Sequence, residues 1–289
     1  MNQRIKADLL LVATTLVWGT TFVVVKSALA DAAPFPFLAI RFSLAGFLMW
    51  IFMARGRIAR EVILPSLLLG TMLFAGFALQ TWGLIYTTPS KAAFITGFTV
   101  ILVPLIAAFR GYPLRPASAG GAALGMLGLY FLILPLGMGA VNRGDWLCLL
   151  GAISYAIQIV MLGKFARRYP FSQLASGQIV AVGIISILAI PFGPTVALHW
   201  TGRLIFAVVV TAVFASAFAF GAQAWAQQHT PPSHTALIFA LEPVFAAITS
   251  LVVMGERLGG KGLLGSALIL AGMVVSEMWG GGVPTPFEA

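Results

Sequence analysis

Ten apolar runs of roughly membrane-spanning length, parted only by short breaks of charge, proline and glycine, leave a bundle of lipid-embedded helices as the fold open to this chain. They fall near 8–28, 36–54, 63–86, 91–109, 117–136, 145–163, 172–192, 203–227, 234–254 and 262–279. A helix can cross a bilayer with about 20 mainly apolar residues because its backbone satisfies its own hydrogen bonds where water is absent. With 60% apolar and 9% charged residues, the chain has too few polar side chains to coat a soluble globule. The alternating segments of about ten residues that a membrane β-barrel requires are absent. The first run follows Arg4 and Lys6 and ends near Ala28-Leu29-Ala30, in the manner of a cleavable signal. Lys26 interrupts it just before that site and nine spans follow, so it reads as a retained first helix. The single cysteine, Cys148, leaves no intramolecular disulfide.

Residues 80–132 and 223–276 are two versions of one segment. Offset by 143, Gln80, Trp82, Thr87, Pro89, Ser90, Ala93 and Ile95 match Gln223, Trp225, Thr230, Pro232, Ser233, Ala236 and Ile238. Offset by 144, Gly111, Leu114, Gly121, Ala123, Leu124 and Gly128 match Gly255, Leu258, Gly265, Ala267, Leu268 and Gly272. The starts of the halves agree more weakly: Asp8 and Asp145 each open a helix, with Trp18 and Tyr155 ten residues on. Five spans per copy is an odd number, so the second copy enters the membrane inverted. The expected fold is therefore an all-α integral membrane protein of ten transmembrane helices in two inverted five-helix repeats around a central cavity. The repeats are 1–136 and 145–279, with a seam at 137–144 and a short tail at 280–289.

Orientation follows from the seventeen basic residues. With the N-terminus in the cytoplasm, ten face inward, including the clusters at Arg55–Arg60 and Lys164–Arg168, against seven outward. That bias places both termini in the cytoplasm of a bacterial inner membrane. The net charge of +9 is then a topological signal. The loops are too short to form a basic face for nucleic acid.

The segment Leu16-Val17-Trp18-Gly19-Thr20-Thr21-Phe22 with Lys26, then Arg41, then Leu241-Glu242-Pro243-Val244 and Gly255-Glu256-Arg257-Leu258, resembles the EamA type of the drug/metabolite transporter superfamily. The resemblance covers essentially the whole chain. It implies ten helices in two inverted domains and export of amino acids or related metabolites. In the first repeat, Gly111-Tyr112-Pro113-Leu114 stands where that family's Gly-Glu-Arg-Leu is expected.

Polar residues in apolar helices are costly and face a cavity or a partner helix. Helical spacing collects them into stripes that supply the candidate substrate-binding set: Trp18 and Thr21, Gln80 and Trp82, Tyr155 and Gln158, Gln223 and Trp225, and Glu242. Glu242 lies about eight residues, roughly 12 Å, into its run. A carboxylate there can carry a proton, recognise an ammonium or accept fixed hydrogen bonds, and the sequence leaves the three open. Candidates for gating or coupling are Lys26, Arg41, Lys91, His234, Pro104 and Pro243. The first three sit near helix ends, where snorkelling to headgroups competes with a role at the cavity mouth; His234 can reach the cavity entrance. Pro104 and Pro243 remove backbone donors and do not coincide under the repeat, so any hinge is expected to be asymmetric. Gly121, Gly125, Gly128, Gly265 and Gly272 are expected to form close helix contacts.

Several activities are set aside. Residues 255–262 follow P-loop spacing, but Gly262 replaces the Ser or Thr that would ligate magnesium and no strand precedes them, so ATP is not expected. His199, His229 and His234 lack acidic or cysteine partners at metal-ligand spacing. A lipid enzyme would need a convergent acid, base or metal set that Glu242 alone does not supply. No catalytic residue and no cofactor are expected. The expected activity is secondary or facilitative export of small zwitterions, first of all amino acids with large or aromatic side chains, in contact with membrane lipids and with proton coupling open. The alternatives are export of drugs or other metabolites, and a structural or receptor-like membrane protein.

Overall fold

The computed structural model describes residues 2–109, 116–133, 142–194, 197–254 and 260–279. The loop at 110–115, the 255–259 loop, most of the 137–144 seam and the 280–289 tail lie outside the described residues. Among these residues every regular element is helical, apart from one isolated bridge between Ala32 and Leu198.

The chain forms α1 (Gln3–Ala28), α2 (Pro34–Phe52), α3 (Arg60–Gly83), α4 (Pro89–Gly97), α5 (Thr99–Phe109), α6 (Pro116–Ile133), α7 (Arg143–Phe165) and α8 (Phe171–Ala189). It continues through α9 (Gly202–Val210), a π-helical segment (Thr211–Phe218), α10 (Ala219–Ala226), α11 (Pro232–Phe239), α12 (Glu242–Met254) and α13 (Gly260–Trp279). Polar caps fix several starts: Thr88 accepts from Lys91 N with Pro89 in the first turn of α4, and Asn142 with Asp145 forms a capping box on α7. Among the described residues, seven helical stretches are long and apolar enough to cross a membrane. The chain is a multi-pass membrane protein; exposed Phe52, Phe109 and Phe192 suit lipid, and exposed Trp50, Trp146 and Trp200 suit the interface.

Two helices expected to run unbroken do not. Residues 91–109 divide at Phe98 and residues 234–254 at Ala240–Leu241, where i to i+3 bonds such as Phe98 N to Ile95 O and Leu241 N to Ile238 O replace the regular ladder. Phe98 and Leu241 are 143 residues apart, so the breaks are equivalent under the repeat although Pro104 and Pro243 are not. Neither proline forms a mid-helix kink at a break: Pro243 sits in the first turn of α12, where a missing N–H costs nothing, and buried Pro104 lies inside α5 beyond the break. Glu242 accordingly starts a helix instead of lying deep within one.

Packing interleaves the two halves. α1 lies against α10, α11 and α12, whereas α7 lies against α3, α4 and α5. α2 packs on α8 and α6 on α13. Glycines set these approaches: a Cβ at Gly128 would stand 2.6 Å from Gly265 O, and one at Gly272 2.6 Å from Gly121 O, as the expected small faces require.

Outside the membrane-spanning segments, the α1–α2 loop is clasped to the chain before α9. Asp31 accepts from Arg203 Nε (2.7 Å), Arg203 Nη2 (2.8 Å) and Thr201 Oγ1 (2.8 Å), while its carbonyl accepts from His199 N (2.7 Å). Arg203, and then Thr201, hold the Asp31 carboxyl down to about 2. A depressed carboxylate contributes fully above its unfolded value near ~4, and the contribution is lost as pH falls through the folded value. The gap in unfolding temperature between wild type and Asp31→Asn is therefore expected to be constant from about pH 5 to about pH 8 and to close in stronger acid. A gap that closes above about pH 5 in a detergent melting series contradicts this clasp.

Candidate functional site

A cavity of about 700 Å³, counted with its open mouth, lies where α1, α3, α7, α10, α11 and the start of α12 converge. Its walls are aromatic. Trp18 packs on Phe220 (5.3 Å between centroids) and edge-on to Phe239 (4.9 Å), and Phe77 packs on Tyr155 (5.3 Å) and Phe220 (5.9 Å). Between them run polar groups already bonded to one another. Tyr155 Oη donates to Gln80 Oε1 (3.2 Å), and Gln80 Nε2 donates to Thr96 Oγ1 (2.7 Å). Gln223 Nε2 donates to Gln158 Oε1 (3.3 Å), and Gln158 Nε2 to Gln178 Oε1 (3.1 Å).

Most of the lining residues fall into sequence-equivalent pairs. Phe77 and Phe220, Gln80 and Gln223, and Thr99 and Glu242 are each 143 residues apart. Trp18 and Tyr155, Thr21 and Gln158, and Phe22 and Ile159 are each 137 apart. The pairing stops at one end. Val25 and Leu84, near the C-terminal ends of α1 and α3, line the cavity, whereas their counterparts Leu162 and Gln227 are fully buried and do not. There Gln227 Nε2 donates to Ile159 O (3.0 Å) and Gln228 Nε2 to Ala166 O (2.8 Å), tying α10 and the turn after it to α7.

An arginine and a glutamate also face this space. Arg41, expected near the outer mouth, is instead buried in the cavity wall: Nε donates to Ser216 Oγ (3.0 Å), and the guanidinium lies 4.8 Å from the ring centroids of both Phe42 and Phe77. Such stacking offsets part of the cost of burying the cation. Glu242 is also buried, at the N-terminus of α12, where the helix dipole favours a negative charge. The π-helical segment builds one side of the site. Its Ala215 carbonyl accepts from Trp18 Nε1 (2.8 Å) and its Ser216 holds Arg41, whereas α3, the equivalent element, is α-helical throughout. A π turn breaks the i to i+4 ladder and so frees backbone groups for such contacts.

Of the residues expected to bind substrate, Trp18, Thr21, Gln80, Tyr155, Gln158, Gln223 and Glu242 come together here. Trp82 and Trp225 do not line the cavity: Trp82 stands edge-on to Phe35 (6.1 Å) and Trp225 over His229 (4.7 Å). Positions two apart on a helix point about 200° from each other, so Gln80 and Gln223 in the cavity send both tryptophans away from it. Of the gating candidates other than Arg41, none lines the cavity. Lys26 caps the end of α3, donating to the carbonyls of Leu84, Ile85 (3.4 Å) and Thr87 (3.1 Å). Lys91 pairs with Asp145 (2.6 Å) and His234 contacts Asp8 (3.2 Å). Lys91 and His234 are 143 apart and Asp8 and Asp145 are 137 apart, so these are equivalent clasps, one joining α4 to α7 and one α11 to α1. Sequence reasoning missed Phe77 and Phe239, which signalled nothing among 22 phenylalanines.

Known proteins resemble the chain along its length. The model of the EamA-like transporter family matches residues 5–134 and, separately, 142–278. An "Uncharacterized transporter" of Archaeoglobus fulgidus is 34% identical over 281 residues, covering 96% of this chain and 87% of its own. The threonine/homoserine exporter RhtA of Salmonella typhimurium is 27% identical over 231 residues, covering 78% and 74%. A solved crystal structure superposes with a TM-score of 0.76 at 25% identity, over 93% of this chain and 96% of its own.

Proposed function

The chain belongs to the EamA-like transporter family, and from that premise we propose that it is a secondary or facilitative exporter of small amphipathic metabolites, amino acids with large or aromatic side chains first. The observation that carries this reading is the cavity itself, walled by aromatic rings and lined by polar groups from equivalent positions of both halves. Aromatic substrate side chains stack on such rings, while amide and hydroxyl groups hold a polar end. The name of the Salmonella relative, an exporter of two amino acids, agrees with that class.

The architecture we propose is ten transmembrane helices in two inverted five-helix repeats, 1–136 and 145–279. Three observations support it: the double family match, the equivalent helix breaks at Phe98 and Leu241, and the equivalent clasps. Both termini are assigned to the cytoplasm of a bacterial inner membrane by the bias of basic residues. On that topology the Val25 and Leu84 end of the cavity faces outward. Transport then requires the opposite end, sealed by Gln227 and Gln228, to open while the outer end closes.

Glu242 is the proposed site of proton coupling, because a buried carboxylate at the cavity is the group there able to change charge during a cycle. Purified protein in liposomes, loaded with phenylalanine and assayed for uptake of the labelled amino acid, is expected to exchange it. A pH gradient is expected to accelerate uptake by wild type and to leave the slower residual exchange of Glu242→Gln at its equal-pH rate. Unchanged pH-driven uptake by Glu242→Gln, or a wild type indifferent to the gradient, removes Glu242 from coupling; no exchange of any amino acid removes the substrate class.

A further inference from the structure

We infer that the cavity is charge-separated and reads both ends of a zwitterion, with Arg41 receiving the substrate carboxylate and Glu242 its ammonium; this rests on the transport reading above and names its recognition chemistry. Arg41 has five N–H donors and spends one on Ser216. Its other donors have no acceptor among the described residues, and neither terminal nitrogen of the guanidinium is sealed from the cavity. Glu242 accepts no hydrogen bond and makes no ion pair among those residues, and its carboxylate oxygens are likewise open to the cavity. Both side chains are more than nine-tenths buried, at 3% and 7% exposure. Buried charges are normally paired with each other. Here each lacks an ion-pair partner among the described residues while sharing one cavity, and Tyr155 is the electrostatic neighbour of both.

An α-amino acid supplies the two missing charges in one net-neutral molecule. Its carboxylate fits the planar guanidinium fork, whose orientation is fixed by Ser216 and by the rings of Phe42 and Phe77. Its ammonium neutralises Glu242, and its side chain has the rings of Trp18, Phe220 and Phe239 beside it. A molecule carrying one charge leaves the other buried group unpaired, which a site built on polar contacts penalises heavily. An amine or a carboxylic acid of the same shape is therefore rejected, although its apolar part fits equally well.

Three labelled compounds test this in liposomes at one pH: phenylalanine, phenethylamine, which lacks the carboxylate, and 3-phenylpropionate, which lacks the ammonium. Wild type is expected to move phenylalanine at least ~tenfold faster than either analogue. Arg41→Gln is expected to lose phenylalanine transport at least ~tenfold while its rate for phenethylamine holds or rises, and Glu242→Gln to show the mirror preference for 3-phenylpropionate. Arg41→Lys keeps the charge without the fork and is expected to retain the wild-type order of the three compounds at reduced rate. If Arg41→Gln does not fold, that retained order, together with the Glu242→Gln preference, carries the test. Equal losses for all compounds in the Gln variants, or a wild type that accepts the amine or the acid as well as phenylalanine, overturn the inference. If wild type moves some other solute but no zwitterion, the inference fails and the transport reading stands; if folded wild type moves nothing, both fail.

Discussion

Gly19→Val is expected to lower transport at least ~tenfold, the factor that about 1.4 kcal/mol represents, and to reduce thermal stability in detergent. A Cβ at Gly19 would lie 2.6 Å from Glu242 O, 2.8 Å from Phe245 Cβ and 3.0 Å from Ala246 N. None of these atoms is the end of a flexible side chain, so α1 and the first turn of α12 must part. Overpacking of this kind typically costs about 1–3 kcal/mol. Here the displaced turn carries Glu242, so the geometry of the cavity is lost along with stability. Gly120→Val is the control, since nothing lies within 4 Å of a Cβ there. Equal effects of the two substitutions on uptake and melting would falsify the proposed α1–α12 contact.

The second large effect is expected at Asp145, which accepts from Thr87 Oγ1 (2.7 Å), Asn142 N (2.9 Å) and Lys91 (2.6 Å). Asp145→Ala strips the carboxylate from a pair whose side chains are only 17% and 6% exposed. Breaking a buried pair from one side costs about 3–5 kcal/mol, much of it the penalty on the charge left behind. The double variant Asp145→Ala with Lys91→Met, which removes that charge, is expected to recover part of the loss. Asp8→Ala is expected to cost less, because Asp8 is 26% exposed whereas Asp145 is 6% exposed. Unfolding in detergent measures all three; a double variant no more stable than Asp145→Ala contradicts the assignment of the penalty to Lys91.

Legibility in the sequence tracked the range of the interactions. Helices and their small faces were legible because apolar run length and glycine spacing are local properties: the runs coincide with helix, and Gly128 and Gly272 make the contacts their positions implied. Gln80 and Gln223 were legible through the duplication. Trp82 and Trp225, drawn into the site by the same duplication, were misplaced because a repeat preserves a face without saying which face it is. Arg41 was misread for a different reason. It stands eight residues into α2, roughly 10 Å from its start, a depth that snorkelling allows and that burial among Phe42, Phe77 and Ser216 overrides. Asp145 is 54 residues from Lys91 in the chain, and Asp8 is 226 from His234, so no local pattern announces either clasp. The interleaving of α1 and α7 into opposite halves is likewise a tertiary outcome.

The central claim is that one cavity between equivalent halves is reached alternately from the two sides of the membrane. Single cysteines at Val25 and at its counterpart Leu162, in a background where buried Cys148 is replaced by alanine, test it through labelling by a membrane-impermeant thiol reagent. Without substrate, the position at Val25 is expected to react from the outside and that at Leu162 to be protected. During transport of phenylalanine, labelling at Val25 is expected to fall while labelling at Leu162, from the cytoplasmic side only, rises. Labelling of both positions from one side, or changes that rise and fall together, contradicts the account.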